Sequence, residues 1–270
     1  MQRLQKRWQA DAKQVSFADA EPTREQINQW TATHTRGRVA ELLGPGSVTP
    51  STRLALTTAL HFKSPWEKPF DATQTEPRAF RNSSGVSTQV PTLNDERGVH
   101  QATVEGTTVM ALPFAGDAYT LLIAMPAQGG STDTMLKAMK GDTMARWRAA
   151  LLPKQCAFAL PKFNIAPLAA SIKPSLQQLG VKTLFSPQAD LRPLLGRQAR
   201  GAVVDDVMHA AGMAIDEQGG EAVAAAAVTV RAKSLAVPLP ACAVDRAFVF
   251  AVMHSATGVP VVMGKVDALD

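Results

Sequence analysis

The sequence predicts a protein of the α+β class, because segments typical of strands outnumber those typical of helices and the two kinds do not alternate regularly. Hydrophobic residues make up 46% of the 270 residues and charged residues 19%, which is ordinary for a globular chain. A chain of this length can bury a sizeable core, either in one large domain or in two small ones.

The first quarter of the chain carries one helix signal and two strand signals. Thr23 followed three residues later by Gln26 matches a capping box at the start of a helix. Gly37 stands near the end expected for that helix. Residues 51–62 mix β-branched with apolar side chains and predict a largely buried strand. A shorter strand is predicted at residues 15–17.

The later segments predict a hairpin, two helices and a terminal hairpin, at residues 107–126, 131–147, 172–185 and 248–266, respectively. In each hairpin two apolar, β-branched runs flank a short turn, AGD in the first and SATGV in the second. The second of the two helices is stopped by Gly180.

Charge and composition argue against nucleic-acid and membrane partners. The net charge of +5 is spread along the chain, and aromatic residues do not interleave with the basic ones as a base-stacking surface requires. No window approaches the roughly 18 consecutive apolar residues of a membrane helix. The first residues are polar and lack the apolar core of a secretory signal, so the sequence alone leaves the compartment open.

The residues capable of chemistry form no recognisable active site. The sequence contains no HExxH, GxSxG, CxxC or GxGxxG motif, and none of its five histidines lies in a known motif. Cys156 and Cys242 are far apart and have no metal-binding neighbours, which predicts two buried thiols rather than a disulfide or a zinc site. We therefore expect no enzyme activity, no bound metal and no cofactor.

The stretch DEQGGEAVAAAAVTVRAKSLAVPLP, at residues 216–240, is unusually rich in small side chains. Its alanines favour a helix, whereas Val223, Val228 and Val230 favour extended chain. The stretch is therefore ambiguous between the two secondary structures. No proline occurs between residues 217 and 237, so each residue there could donate a hydrogen bond to a neighbouring strand.

Several segments, spread in order over nearly the whole chain, resemble those of the serpin family. They are INQWTATHTRGRVAELL, STRLALTTALHFKSPWEKPF, LPKFNI with LGVKTLFSPQADL, VMHAAGMAIDEQGGEAVAAAA, and DRAFVFAVMH with PVVMGKV. The resemblance implies one serpin-like α+β domain over residues 1–270, with three β-sheets surrounded by helices. It also implies an exposed reactive-centre loop at about residues 217–240. Residues 51–63 and 203–217 would be neighbouring central strands of the main sheet.

The resemblance implies a serine protease inhibitor that acts as a suicide substrate. The protease would attack the carbonyl of Lys233 in its bond to Ser234, or alternatively that of Arg231, and the freed loop would insert between the central strands. Small side chains suit this insertion, because alternate residues of the incoming strand must be buried. The hinge and insertion residues implied by the resemblance are Glu217, Gly219, Gly220, Glu221, Ala222, Ala224, Ala225, Ala226 and Ala227.

The expected partner is a trypsin-like serine protease, whose specificity pocket holds an aspartate that accepts lysine or arginine. The resemblance also implies a monomer and an extracellular or periplasmic location. Trp66 and His209 match positions that brace the main sheet in the family, and with Thr58 they form the expected support for its opening.

Three features depart from the family pattern. The chain begins at what resembles the fifth helix, so early helices and one strand of the main sheet would be missing. Thr58 stands where asparagine is expected, and its smaller set of donors and acceptors would alter the opening of the sheet. Gly220 stands where threonine or serine is usual. The alternative function is therefore a non-inhibitory or inactive truncated serpin that acts as a binding or structural module.

Overall fold

The computed structural model describes Lys6, Asp11 and residues 13–199, 202–220 and 238–270. The chain divides into two compact units. Unit 1 comprises residues up to His61 together with Ala166–Gly212, and unit 2 comprises Phe62–Ile165 together with Met213–Asp270. The single domain expected over residues 1–270 stays a prediction.

The described elements confirm an α+β composition in which strands predominate. The helices are α1 (Ala20–His34), α2 (Thr132–Ala138), α3 (Thr143–Ala150), α4 (Lys173–Gln178) and α5 (Arg192–Leu195), with 3-10 turns at Ala72–Gln74, Thr183–Phe185 and Gly196–Ala199. The strands are β1 (Leu56–His61), β2 (Ser64–Pro65), β3 (Glu76–Arg81), β4 (Ser87–Val104), β5 (Thr107–Pro113), β6 (Tyr119–Met125), β7 (Leu152–Pro161), β8 (Phe163–Ile165), β9 (Ala170–Ser171), β10 (Val207–Ile215), β11 (Gly219–Gly220), β12 (Ala241–Ala243), β13 (Phe248–His254) and β14 (Pro260–Val266).

Unit 1 is built around a parallel pair of strands. The six residues of β1 run parallel to the first six residues of β10, and β9 pairs antiparallel with β10. Val39 and Leu42 are buried beside Ala210, with Ala59 packed against them. Apolar side chains on one face of the pair therefore anchor it to the segment that follows α1. The expectation that residues 51–63 and 203–217 contain neighbouring strands is confirmed.

Unit 2 contains an eight-stranded sheet in which β12, β7, β4, β5, β6, β13 and β14 follow one another, while β3 pairs with β4. The 18 residues of β4 pair in turn with β3, β7 and β5. This long strand therefore connects all eight strands into one sheet. Consecutive residues of β6 and β13 are buried, so both faces of these central strands are covered.

Local sequence signals located the hairpins better than the helix ends. The hairpins β5–β6 and β13–β14 are confirmed. The helix expected over residues 131–147 is interrupted between α2 and α3, and that over 172–185 ends at Gln178 before a 3-10 turn. The capping box at Thr23 is wrong, because α1 begins at Ala20 and the Thr23 hydroxyl donates to Ser16 O instead. Residues 15–17 form no strand.

The two cysteines form a disulfide between β7 and β12, which corrects the prediction of two thiols. Cys156 and Cys242 are both fully buried, as expected. Because the two cysteines lie 86 residues apart, their spacing in the sequence did not indicate that they pair. The parallel pairing of β12 with β7 sets Ala241 opposite Ala157 and brings the two cysteine Cα atoms to 5.9 Å, a distance typical of disulfides.

We expect Ile123→Ala in β6 to lower the free energy of unfolding by about 2–5 kcal/mol, because Ile123 is fully buried and its truncation leaves a cavity. Val261→Ala is the matched control in β14, since Val261 is 36% exposed, and it should change the free energy by less than about 0.5 kcal/mol. Urea denaturation of the intact chain measures both. Equal losses for the two variants would contradict the described core.

Candidate functional site

The predicted site residues that the structure describes occupy two places, each within one unit. Thr58 and His209 lie on the parallel pair of unit 1, whereas Trp66 and the hinge residues Glu217, Gly219 and Gly220 lie in unit 2. The other predicted residues lie outside the described residues: Glu221, Ala222, Ala224, Ala225, Ala226, Ala227, Arg231, Lys233 and Ser234.

Thr58 and His209 stand directly opposite each other in the β1–β10 ladder. Paired residues project on the same face, so their side chains share a face, on which Thr58 is exposed and His209 half-buried. The neighbouring pair, Ala59 and Ala210, projects on the other face toward the Val39 and Leu42 cluster. A strand entering between β1 and β10 would have to separate these opposed pairs.

The chain reverses direction in unit 2 immediately after β10. The Asp216 carboxylate accepts hydrogen bonds from the backbone N–H groups of Gln218 (2.8 Å) and Gly219 (3.1 Å), and the Asp216 N–H donates to Gly219 O (3.0 Å). This tight turn sets Gly220 opposite Ile215 in an antiparallel pairing. We call residues 216–220 the hinge turn.

Trp66 holds the hinge turn through both its backbone and its side chain. Its backbone N–H donates to Gln218 O (2.8 Å), and its indole N–H donates to Asp216 O (2.9 Å). The indole is 2% exposed and stacks on Phe114 with the ring centroids 4.6 Å apart. The N–H of Phe70 donates to Glu217 O (2.7 Å). The backbone of the hinge turn is thus fixed by the backbone N–H groups of Trp66 and Phe70 and by the buried Trp66 indole.

Glu217 contacts two side chains from different parts of unit 2, Lys162 directly after β7 and Thr75 directly before β3. The Lys162 ammonium lies 3.0 Å from both carboxylate oxygens, and the Thr75 hydroxyl donates to one of them at 2.8 Å. Burial by itself raises the pKa of Glu217. Hydrogen bonds from its own backbone, Lys162 and Thr75, together with the Lys162 charge, outweigh burial and hold that pKa below its ordinary value.

Both hinge glycines lie where a side chain would be crowded, and Gly219 also has a backbone conformation that favours glycine. Gly219 has φ of +143°, and a Cβ atom there would overlap the carbonyl oxygen of Ser64. A Cβ atom on Gly220 would lie 3.1 Å from the Phe62 ring. The close approach of β11 to β2 therefore depends on the missing side chain of Gly219.

Sequence reasoning missed Lys162, Thr75 and Asp216 as members of the site. Lys162 lies within the segment LPKFNI that carries part of the family resemblance, but no spacing rule connects it to Glu217, 55 residues away. In the described part of the chain, no three His, Cys, Asp or Glu side chains gather in a way that could hold a metal. No helix of that part is long and apolar enough to cross a bilayer.

These features define an α+β protein in which a tract of small residues leaves a central strand through an anchored turn. The family model described as Serpin (serine protease inhibitor) matches residues 1–268. Since that match covers nearly the whole sequence, the chain belongs to the serpin family.

Similar proteins agree with this assignment. Plasminogen activator inhibitor 1 of Neovison vison is 30% identical over 266 residues, which cover 96% of this chain and 65% of that protein. Antithrombin-III of Ovis aries is 28% identical over 92% of this chain and 54% of its own length. The solved thyroxine-binding globulin complex with thyroxine has a TM-score of 0.85 at 23% identity, over 99% of this chain and 70% of that one, which confirms the fold. The chain spans less than two thirds of the two curated relatives named here.

We expect Gly219→Ala to lower the free energy of unfolding by more than about 1 kcal/mol, because the new Cβ atom would meet the Ser64 carbonyl at a strained φ. Gly44→Ala is the matched control, since a Cβ atom at Gly44 meets nothing within 4 Å, and it should change little. Thermal unfolding of both variants measures the difference. A neutral Gly219→Ala would contradict the described contact between β11 and β2.

We expect the stabilising effect of Glu217 to disappear in acid. Its pKa in the folded protein is below the ordinary value of 4.5, so the ionised group stabilises the fold above pH 4.5 and this contribution is lost as pH falls through the folded pKa. Glu217→Gln should therefore cost about 1 kcal/mol at pH 7 and progressively less below pH 4.5. The free energy of unfolding, measured from pH 3 to 7, tests this against the exposed control Glu76→Gln. A cost that does not change with pH would contradict the ion pair.

Proposed function

We propose that the chain is an inhibitor of serine proteases and not an enzyme, and that it acts as a suicide substrate. In this proposal, the loop at residues 217–240 is cleaved and then enters the ladder between β1 and β10. The observation that carries the proposal is the antiparallel pairing of Gly220 with Ile215, because it starts a return strand along β10.

Continuing that pairing gives each loop residue a definite partner. Two steps forward along the loop correspond to two steps back along β10, so residue 222 meets Met213, 224 meets Ala211 and 226 meets His209. Ala226 would then stand between His209 and its present partner Thr58. In this proposal the predicted insertion residues would lie at the same level of the sheet as the predicted sheet-opening residues Thr58 and His209.

Side-chain sizes along the tract suit this register. Ala225 would meet the fully buried Ala210, where a larger side chain would collide with the Val39 and Leu42 cluster. Val223, one of the larger residues of the tract, would meet Gly212, which has no side chain. Size complementarity therefore supports an entering strand at both positions.

Hydrogen-bond energetics favour insertion after cleavage. An inserted strand pairs on both sides, and about 12–15 new bonds at about 1 kcal/mol each are worth on the order of 10 kcal/mol. The ladder that must open consists of six parallel residue pairs, whose hydrogen bonds are fewer and slightly weaker than antiparallel ones. The net gain would move the protease, still joined to Lys233 as an acyl-enzyme, before the ester is hydrolysed.

Lys233 sets the proposed specificity, because a trypsin-like protease holds an aspartate at the base of its specificity pocket. The proposed partner is therefore a protease that cleaves after lysine or arginine. An extracellular or periplasmic location and a monomeric state belong to the same proposal, since they follow from the family resemblance.

We expect incubation with trypsin to give a complex that survives SDS and, without a reducing agent, has the summed mass of the intact chain and the protease, because the disulfide retains the peptide that follows the cut. Lys233→Ala should abolish the complex with trypsin, whereas the control Lys233→Arg should retain it, because both cationic side chains enter the pocket. Arg231→Ala should leave the complex intact. Cleavage after residue 233 with no trapped protease would overturn inhibition.

The second candidate function is that of a non-inhibitory binding or structural module. Thr58 favours it, because threonine replaces the asparagine expected at the level where the ladder must open. Heating separates the two candidates. A chain whose cleaved loop inserts gains stability, so its melting temperature rises after nicking at residue 233, whereas a module that cannot insert shows no rise.

A further inference from the structure

The disulfide between Cys156 and Cys242 holds a strand that has few other contacts. β12 consists of three residues, pairs with β7 and stands at the end of the strand order in its sheet. Two further backbone bonds flank it, from Ala157 N–H to Pro240 O (3.0 Å) and from Val244 N–H to Ala159 O (2.9 Å). Its three residues are fewer than the usual strand length of about 5–6, and two of its three side chains are alanines. β12 is therefore a weakly held edge strand.

The surroundings of Cys242 also suit a reduced thiol. The Cys242 Sγ atom lies 3.1 Å from Gln101 Oε1, and the same oxygen accepts a hydrogen bond from the Lys154 ammonium at 3.1 Å. After reduction, the Cys242 thiol can donate to this oxygen. The site therefore has a polar partner ready for the thiol form and does not leave it unsatisfied among buried groups.

We propose that the Cys156–Cys242 disulfide is a thiol-sensitive clamp that determines whether β12 stays paired with β7. A dithiol reductant supplies two electrons and two protons: the S–S bond breaks, two cysteine thiols form, and the reductant becomes a cyclic disulfide. β12 is then retained by its short ladder and the two flanking backbone bonds. In the inhibitor this clamp would fix the C-terminal anchor of the reactive loop, a consequence that rests on the proposed function.

Hydrogen exchange of the intact chain tests the clamp without any protease. Reduction with dithiothreitol should raise the exchange rate of the peptide that contains residues 241–243 by at least about tenfold. Exchange of β13 (Phe248–His254) should stay unchanged, because it pairs with strands on both sides. Cys156→Ala should reproduce the effect without reductant, which removes the question of whether dithiothreitol reaches the buried bond.

Three results would overturn the proposal. Two titratable thiols in the unfolded, non-reduced protein would show that the disulfide does not form. Equal exchange at residues 241–243 in oxidised protein, reduced protein and Cys156→Ala would show that the ladder alone holds β12. A parallel rise in β13 would show that the bond stabilises the whole sheet. None of these outcomes depends on protease trapping, so failure of the clamp and failure of the proposed function are distinguishable.

Discussion

The reversal of the chain at residues 216–220 is the constraint on which the proposed function depends. Asp216 closes the turn, Trp66 binds its backbone, and Lys162 holds Glu217. Since these contacts lie at the start of the tract, they fix where it begins along β10, and in the proposed insertion the residues that follow would continue the register set by Gly220 and Ile215. An anchored start and a tract of small side chains are both needed for an orderly insertion.

The stability of that anchor comes from several modest interactions acting together. The ion pair between Lys162 and Glu217 is partly exposed, with 36% and 15% of the two side chains accessible, so solvent screens it. The buried Trp66 indole and the close contact between β11 and β2 depend less on ionic conditions. Acid would therefore weaken the hinge turn by removing the Glu217 charge, while the aromatic contacts would keep its backbone in place.

Much of the fold was predictable because its signals are local. The runs that form β5, β6, β13 and β14 are short, apolar and separated by turn residues, so each hairpin could be recognised from a few neighbouring positions. β4 was not foreseen, since its 18 residues include proline, charged and polar side chains that interrupt any alternating pattern. Its pairing partners, rather than its own sequence, make it a strand.

The candidate site shows the same division between local and distant signals. The hinge glycines and alanines could be identified from composition and family resemblance. The partners of Glu217 and the pairing of Cys156 with Cys242 could not, because each contact joins residues more than 50 positions apart. Only the folded arrangement of strands brings these groups together.

The position of the disulfide has a consequence for the fate of a nicked molecule. Cys156 precedes the proposed scissile bond between Lys233 and Ser234, and Cys242 follows it. The two polypeptides produced by cleavage would therefore remain one covalent species, in which the disulfide attaches the C-terminal 37 residues (234–270) to the larger piece. Their separation would need a reducing agent as well as a protease.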